Sequence, residues 1–179
     1  MKTYIALLRG INVGGHKKVP MVELRGLLSN SGFKNVQTYI QSGNVILESS
    51  EEQISIIEEQ IKTAILNYFG FDVPVIVKTN DELQAIFDAC PFTKEKKEKS
   101  YFTILHSIPN AELVEIASKK VYEGEEYLII NDCIYFYCAK GYGQAKFNMN
   151  YFERKLKTSS TSRNYRTMVK LLSLSAEIN

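Results

Sequence analysis

The feature that most constrains this chain is an order of periodicities that runs twice along it. Short apolar runs with strand character alternate with longer stretches whose apolar residues recur every three or four positions, the spacing of a helix face. In the first half, residues 4–8 form an apolar strand ended by Arg9 and Gly10, and a glycine-containing loop leads to Pro20, which suits the first position of a helix. Met21, Leu24, Leu27 and Leu28 then share one helix face, and Gly32 is a natural stop. Two strands over residues 36–40 and 45–47 flank Gln41-Ser42-Gly43-Asn44, which reads as a hairpin turn. Ser50 with Gln53 matches a capping box, Ile54, Ile57, Ile61, Ile65 and Tyr68 keep helical spacing, Gly70 ends the helix, and residues 73–77 close the unit as a strand. This β-α-β-β-α-β order is that of the split βαβ, or ferredoxin-like, motif, so an antiparallel sheet with both helices on one face is expected.

The second half repeats the order with one change. A connecting helix, capped by Thr79 with Glu82 and stopped by Pro91, leads through a lysine-rich stretch, residues 94–99, that reads as an exposed linker. Residues 101–105 form a strand; Leu113, Ile116 and Ala117 mark a helix; residues 127–130 and 134–137 make a hairpin across Asn131-Asp132; a helix follows over 151–156. Where a fourth strand is due, Thr158-Ser159-Ser160-Thr161-Ser162 is followed by Met168, Leu171 and Leu172 at helical spacing. The expectation is therefore an α+β protein of two tandem ferredoxin-like (βαββα-type) halves with antiparallel sheets, the second carrying a terminal helix in place of its last strand. Residues 1–78 would form the first half, 79–99 a connecting helix and linker, and 100–179 the second half with its C-terminal helix.

Composition limits what such a chain does. With 179 residues, 45% of them hydrophobic, it can bury a substantial core, and a formal charge of +2 is too small to imply a nucleic-acid or membrane partner without a local patch. The three cysteines, Cys90, Cys133 and Cys138, are odd in number and form no C-x-x-C pair. Only His16 and His106 accompany them, so the sequence implies no metal and no cofactor. The N-terminal apolar run is too short for a signal segment and no stretch approaches membrane-spanning length, which makes a cytoplasmic location without a membrane partner the expectation.

Three motifs carry a resemblance. Leu8-Arg9-Gly10-Ile11-Asn12-Val13-Gly14-Gly15, Thr38-Tyr39-Ile40-Gln41-Ser42-Gly43-Asn44-Val45 and Thr161-Ser162-Arg163-Asn164-Tyr165-Arg166-Thr167 together resemble a bacterial family catalogued as domain of unknown function 1697. The resemblance implies a duplicated ferredoxin-like fold and brings no assigned activity or substrate. Where that family commonly has Trp in the late motif this chain has Tyr165, which keeps an aromatic ring.

The chemistry-bearing residues concentrate in loops. In the first loop, Gly14 and Gly15 allow backbone N–H groups to converge on an anion, a helix start follows, Arg9, Lys17 and Lys18 supply charge, and Asn12 and His16 add polar groups. The glycine spacing matches neither a P-loop nor G-x-G-x-x-G, and a plain tight turn also accounts for it. Split βαβ topology brings the loop after the first strand and the strand-two to strand-three turn to one end of the sheet, so Gln41, Ser42 and Asn44 are expected to face the first loop, although Ser-Gly-Asn is also ordinary turn chemistry. Thr161, Ser162, Arg163 and Asn164 read as a helix start, where Arg163 could grip a carboxylate or phosphate. A third loop, Lys140-Gly141-Tyr142-Gly143-Gln144-Ala145-Lys146, mixes bases, a ring and glycines that suit nucleic acid or a flexible connector alike. Tyr135 and Tyr137 share a strand face with Phe136 opposite, a pattern that favours burial over base stacking, and Glu51, Glu52, Glu58 and Glu59 read as the solvated face of a helix. No catalytic constellation is recognisable; His16 is the obvious proton carrier. The leading expectation is binding of an anionic ligand (nucleotide, phosphometabolite or nucleic acid) by Arg9, Asn12, Gly14, Gly15, His16, Lys17, Gln41, Ser42, Asn44, Arg163 and Asn164. The alternatives are a protein-interaction module or homodimer and an enzyme acting on a phosphorylated substrate.

Overall fold

The structure, a computed structural model, describes residues 1–178. The elements follow in the order β1 (Lys2–Leu8), α1 (Met21–Asn30), β2 (Lys34–Tyr39), β3 (Asn44–Ser49), α2 (Ile54–Phe69), β4 (Val75–Thr79), α3 (Asn80–Asp88), α4 (Lys94–Lys97), β5 (Tyr101–Leu105), α5 (Ala111–Ser118), β6 (Glu125–Ile130), β7 (Cys133–Cys138), α6 (Met149–Leu156), β8 (Ser160–Asn164) and α7 (Tyr165–Ile178). The strands form two four-stranded antiparallel sheets of equivalent order, β2-β3-β1-β4 and β6-β7-β5-β8. The mixed α+β class and the tandem halves are those expected from the repeated order. Two compact units result, Met1–Leu83 with Lys170–Asn179, and Gln84–Val169.

In the first unit both helices lie on one face of the sheet. Alternate residues Tyr4, Ala6 and Leu8 of β1 and Val45 and Leu47 of β3 pack in one core with Leu24 and Leu28 of α1 and Ile57, Ile61 and Ile65 of α2. The Asn80 amide donates to the Leu172 carbonyl at 3.1 Å and to the Ser175 hydroxyl at 2.6 Å, which ties the end of α7 to this unit. In the second unit Leu105 of β5 and Ile134 of β7 meet Ala117 of α5 and Phe152 and Leu156 of α6. The Thr79–Glu82 capping box forms reciprocally, with the Thr79 N–H donating to Glu82 Oε2 at 2.8 Å and the Glu82 N–H to Thr79 Oγ1 at 3.2 Å.

Several local expectations are corrected. The second sheet is complete: β8 pairs with β5, so the terminal helix follows the last strand and does not replace it. Hydroxyl-bearing residues that read as helix caps fill an edge strand whose pattern carries no apolar alternation. The Ser50–Gln53 box does not form; Gln53 is the N-cap, and the Glu51 carboxylate accepts the Glu52 and Gln53 N–H groups. Pro20 is likewise the N-cap of α1 and lies just outside the helix. The lysine-rich linker contains the helical turn α4, with Lys97 Nζ 3.9 Å from the Phe87 ring centroid. Glu58 is buried at 5% exposure, because position 58 lies four residues after Ile54 and three before Ile61, on the core side of α2. Its carboxylate accepts the outward N–H of Val77 on edge strand β4 at 2.9 Å.

The closest backbone approach is at Gly43. Its φ is +85°, and a Cβ there would lie 2.6 Å from Leu8 Cβ and 3.0 Å from Leu8 O. Gly43→Ala combines a left-handed penalty of about 1–2 kcal/mol with overpacking of about 1–3 kcal/mol, and urea unfolding should register a loss of roughly 2–5 kcal/mol. Gly10→Ala, at φ +72° with open space around the Cβ, should cost only the backbone part, about 1–2 kcal/mol.

Candidate functional site

The first loop is a miniature hairpin. The His16 N–H donates to the Val13 carbonyl at 3.0 Å around Gly14 and Gly15, whose φ values of +59° and +78° are those of a type I′ turn. One step outward the Asn12 N–H donates to the Lys17 carbonyl at 3.1 Å. The Asn12 side chain spends all its groups on position: Nδ2 donates to the Val19 carbonyl at 3.0 Å and to the Gln41 carbonyl at 2.9 Å, while Oδ1 accepts the Val19 N–H at 2.8 Å. This one amide ties together the loop, the entry to α1 and the β2–β3 turn. The expected convergence of the two loops at one end of the first sheet is present.

Between them lies a cleft of about 540 Å³ lined by Asn12, Gly15, Lys18, Val19, Pro20, Met21, Val22 and Gln41. Pro20 caps α1 without a side-chain hydrogen bond, so the N–H groups of Met21, Val22 and Glu23 have no partner among the described residues. The Glu23 carboxylate, which would oppose an anion here, accepts the Tyr68 hydroxyl at 3.3 Å. Val22 is 72% exposed, and Val13 and Ile40, which flank Asn12 and Gln41 in sequence, are 65% and 50% exposed. Ile40 holds φ +49°, a conformation that β-branched residues rarely adopt. A cation, open helix N–H groups and apolar side chains thus share one concave surface.

The other residues singled out from sequence are distributed as follows. Gly14 and His16 lie on the exposed turn. Lys17 Nζ donates to the Asp72 carbonyl at 2.6 Å and lies 6.0 Å from the Phe71 ring centroid, so its charge turns toward the approach to β4. Arg9 is half-buried and its N–H donates to the Pro74 carbonyl at 3.0 Å. Asn44 is fully buried, with Nδ2 donating to the Tyr39 carbonyl and to Ser42 Oγ, both at 3.0 Å. Arg163 is in β8 and not at a helix start; it is 6% exposed and its guanidinium donates to Thr161 Oγ1 at 2.7 Å and to the Ser162 carbonyl at 2.8 Å. Burial lowers its pKa to about 10, which leaves it charged at neutral pH. Asn164 is the residue that caps α7, accepting the Thr167 N–H at 2.9 Å. Both belong to the second unit, whereas the first-loop residues belong to the first.

Sequence reasoning missed Met21, Val22 and the open first turn of α1. The available signal was a proline before the helix with no Ser, Thr, Asp or Asn beside it to cap the turn. In the second unit Tyr135 is buried and its hydroxyl donates to the Ile86 carbonyl at 2.7 Å, while Tyr142 is 43% exposed and stacks on Tyr101 at 4.1 Å. All three cysteines are free thiols. No group of three or more His, Cys, Asp or Glu able to hold a metal occurs among the described residues, and no described helix is long and apolar enough to cross a membrane.

Asn12→Ala should leave the Val19 N–H and two carbonyls without partners and cost about 2–4 kcal/mol. Hydrogen exchange should show the Val19 amide losing protection in that variant. Lys18→Ala, at an exposed position, should stay within about 0.5 kcal/mol of the parent.

Comparison with known proteins follows the fold. No curated protein matches the chain. A solved structure described as a conserved bacterial protein from Streptococcus pneumoniae is 23% identical, covers 97% of this chain and 98% of its own, and superposes with a TM-score of 0.77. At that identity the likeness establishes the shared fold. The family model described as "Protein of unknown function (DUF1697)" matches residues 1–135, which include both the first loop and the Gln41–Asn44 turn. This chain belongs to that family.

Proposed function

We propose that the cleft between the first loop, the start of α1 and the β2–β3 turn binds an anionic ligand with a flat or apolar body, a nucleotide in preference to a bare phosphometabolite. The observation that carries this reading is the meeting of Lys18, the open N–H groups of α1 and the apolar Met21 and Val22 in one cleft of about 540 Å³. Helix N-termini favour negative charge through their unpaired N–H groups and the helix dipole. The volume lies within the range of small-molecule sites, and apolar walls with few polar groups are their usual lining. Lys18 supplies the full charge and Gly15 permits close backbone approach. Asn12, Gln41, Ser42 and Asn44 act by holding the loop and turn, Arg9 and Lys17 add positive potential at longer range, and His16 is a polar group on the exposed turn.

The test is a thermal-shift panel of nucleotides, phosphosugars, polyphosphate and short oligonucleotides on the parent, Lys18→Ala and Val22→Asp. A nucleotide at 100 times its dissociation constant should stabilise the parent by about 2.7 kcal/mol. Both variants should lose most of that shift while unfolding near the parent temperature without ligand. Phosphosugars should bind more weakly because they leave the apolar wall unused. If no anion stabilises the parent, or if both variants respond as the parent does, the cleft is not the site.

A further inference from the structure

Three of the four sheet edges are blocked against further pairing, and the fourth is open. On β4 the outward Val77 N–H is taken by the Glu58 carboxylate at 2.9 Å, and on β8 the outward Ser160 N–H is taken by Glu153 Oε1 at 2.6 Å. On β2 the register shifts between Lys34 and Gln37, Asn35 is left-handed at φ +47°, and Lys34 is exposed. A bulge and a lysine are recognised protections of an edge strand. β6 has no bulge and no lysine, and its two charges are both engaged within the chain, Glu126 with Lys96 at 2.5 Å and Glu125 with the Phe147 N–H at 2.9 Å.

The ladder identifies which β6 groups point outward. The Leu105 N–H donates to the Asp132 carbonyl, which makes Ile104 and Cys133 a non-hydrogen-bonded pair, so the Cys133 backbone groups face β6 and bond Ile130. Alternation along the register then pairs Leu128 with Tyr135 and leaves the N–H and C=O of Tyr127 and Ile129 pointing away from the sheet. The next residue in that series, Glu125, agrees: its N–H turns outward to the Tyr122 carbonyl. Neither Tyr127 nor Ile129 has a backbone partner on that side among the described residues. A groove of about 430 Å³ runs beside the strand, and the apolar Leu128 and Val121 along it are 48% and 83% exposed.

We propose that β6 is the pairing edge of a homodimer, joined antiparallel to β6 of a second copy about a two-fold axis at Leu128. The edge is self-complementary there. The two outward residues flank Leu128 symmetrically, so Tyr127 exchanges both backbone hydrogen bonds with Ile129 of the partner subunit, and the reverse pair does the same. The contact covers the exposed Leu128 side chain with its own copy. It places Glu126, ion-paired to Lys96 at 2.5 Å, opposite Ile130 of the partner subunit, so no like charges face each other. Because the other edges are blocked, the association closes at two copies and does not propagate.

Sedimentation velocity over a wide concentration range tests this on the full chain, beside Leu128→Lys, which sets two ammonium groups face to face at the axis. Hydrogen exchange at low and high concentration supplies a readout independent of the variant's folding. The expected result is a reversible dimer, weakened at least about tenfold by Leu128→Lys. The Tyr127 and Ile129 amides should gain protection with concentration, while the Leu128 amide, bonded within the sheet, is protected throughout. A monomer at every concentration, a dimer unaffected by Leu128→Lys, or exchange at Tyr127 and Ile129 that ignores concentration would overturn the proposal.

Discussion

The contact on which the first unit's candidate cleft depends is the approach of the Gly43 backbone to Leu8 and Ile11. The Leu8 N–H donates to the Gly43 carbonyl at 2.7 Å, and no side chain fits between the two segments. This closeness lets the β2–β3 turn lie against the end of β1, which in turn brings the Gln41 carbonyl within reach of Asn12. Once Asn12 is held, the chain to Val19 is fixed, and the start of α1 is placed beside the turn. A cleft formed this way exists before any ligand arrives. Preorganisation of that kind reduces the ordering cost of binding. The left-handed Ile40 in the same turn is held by the same constraints, as strained residues at clefts often are.

The two halves share more than strand order. In each, the second helix of the split βαβ unit carries a glutamate whose carboxylate takes an outward N–H of the last strand: Glu58 of α2 on Val77, and Glu153 of α6 on Ser160. A carboxylate that accepts an outward backbone N–H, buried at Glu58 and half-buried at Glu153, closes part of an edge that would otherwise recruit another strand. The halves differ at the opposite edges, where β2 is bulged and β6 is regular. This asymmetry is what separates the two proposals, a ligand cleft in the first unit and a pairing edge in the second.

Much of this architecture was legible because it rests on periodicity and turn chemistry. Ile57, Ile61 and Ile65 announce their burial by spacing, Asn131 and Gly43 mark turns that need left-handed backbone, and Thr79 with Glu82 spells a cap that forms. What escaped was decided by tertiary partners. β8 is made of Ser, Thr, Arg and Asn and becomes a strand because β5 offers it a ladder. Glu58 and Arg163 are charged residues at buried positions, where a sequence pattern assigns solvent. Asn12 was legible as a polar loop residue, but its work is structural, because its three hydrogen bonds reach residues seven and twenty-nine positions away. Convergence of the first loop and turn followed from topology, whereas the apolar wall of the cleft needed the helix start in three dimensions.

The cleft at the first-loop end is proposed as a built site for an anion with an apolar body. Amide chemical-shift mapping during titration of the ¹⁵N-labelled protein with a nucleotide tests it most directly. If the cleft is the site, the largest changes fall on Gly15, Lys18, Met21, Val22 and Glu23, with Asn12 and Gln41 following as their shared hydrogen bond tightens. Changes confined to the second unit, or none at saturating nucleotide, would contradict it.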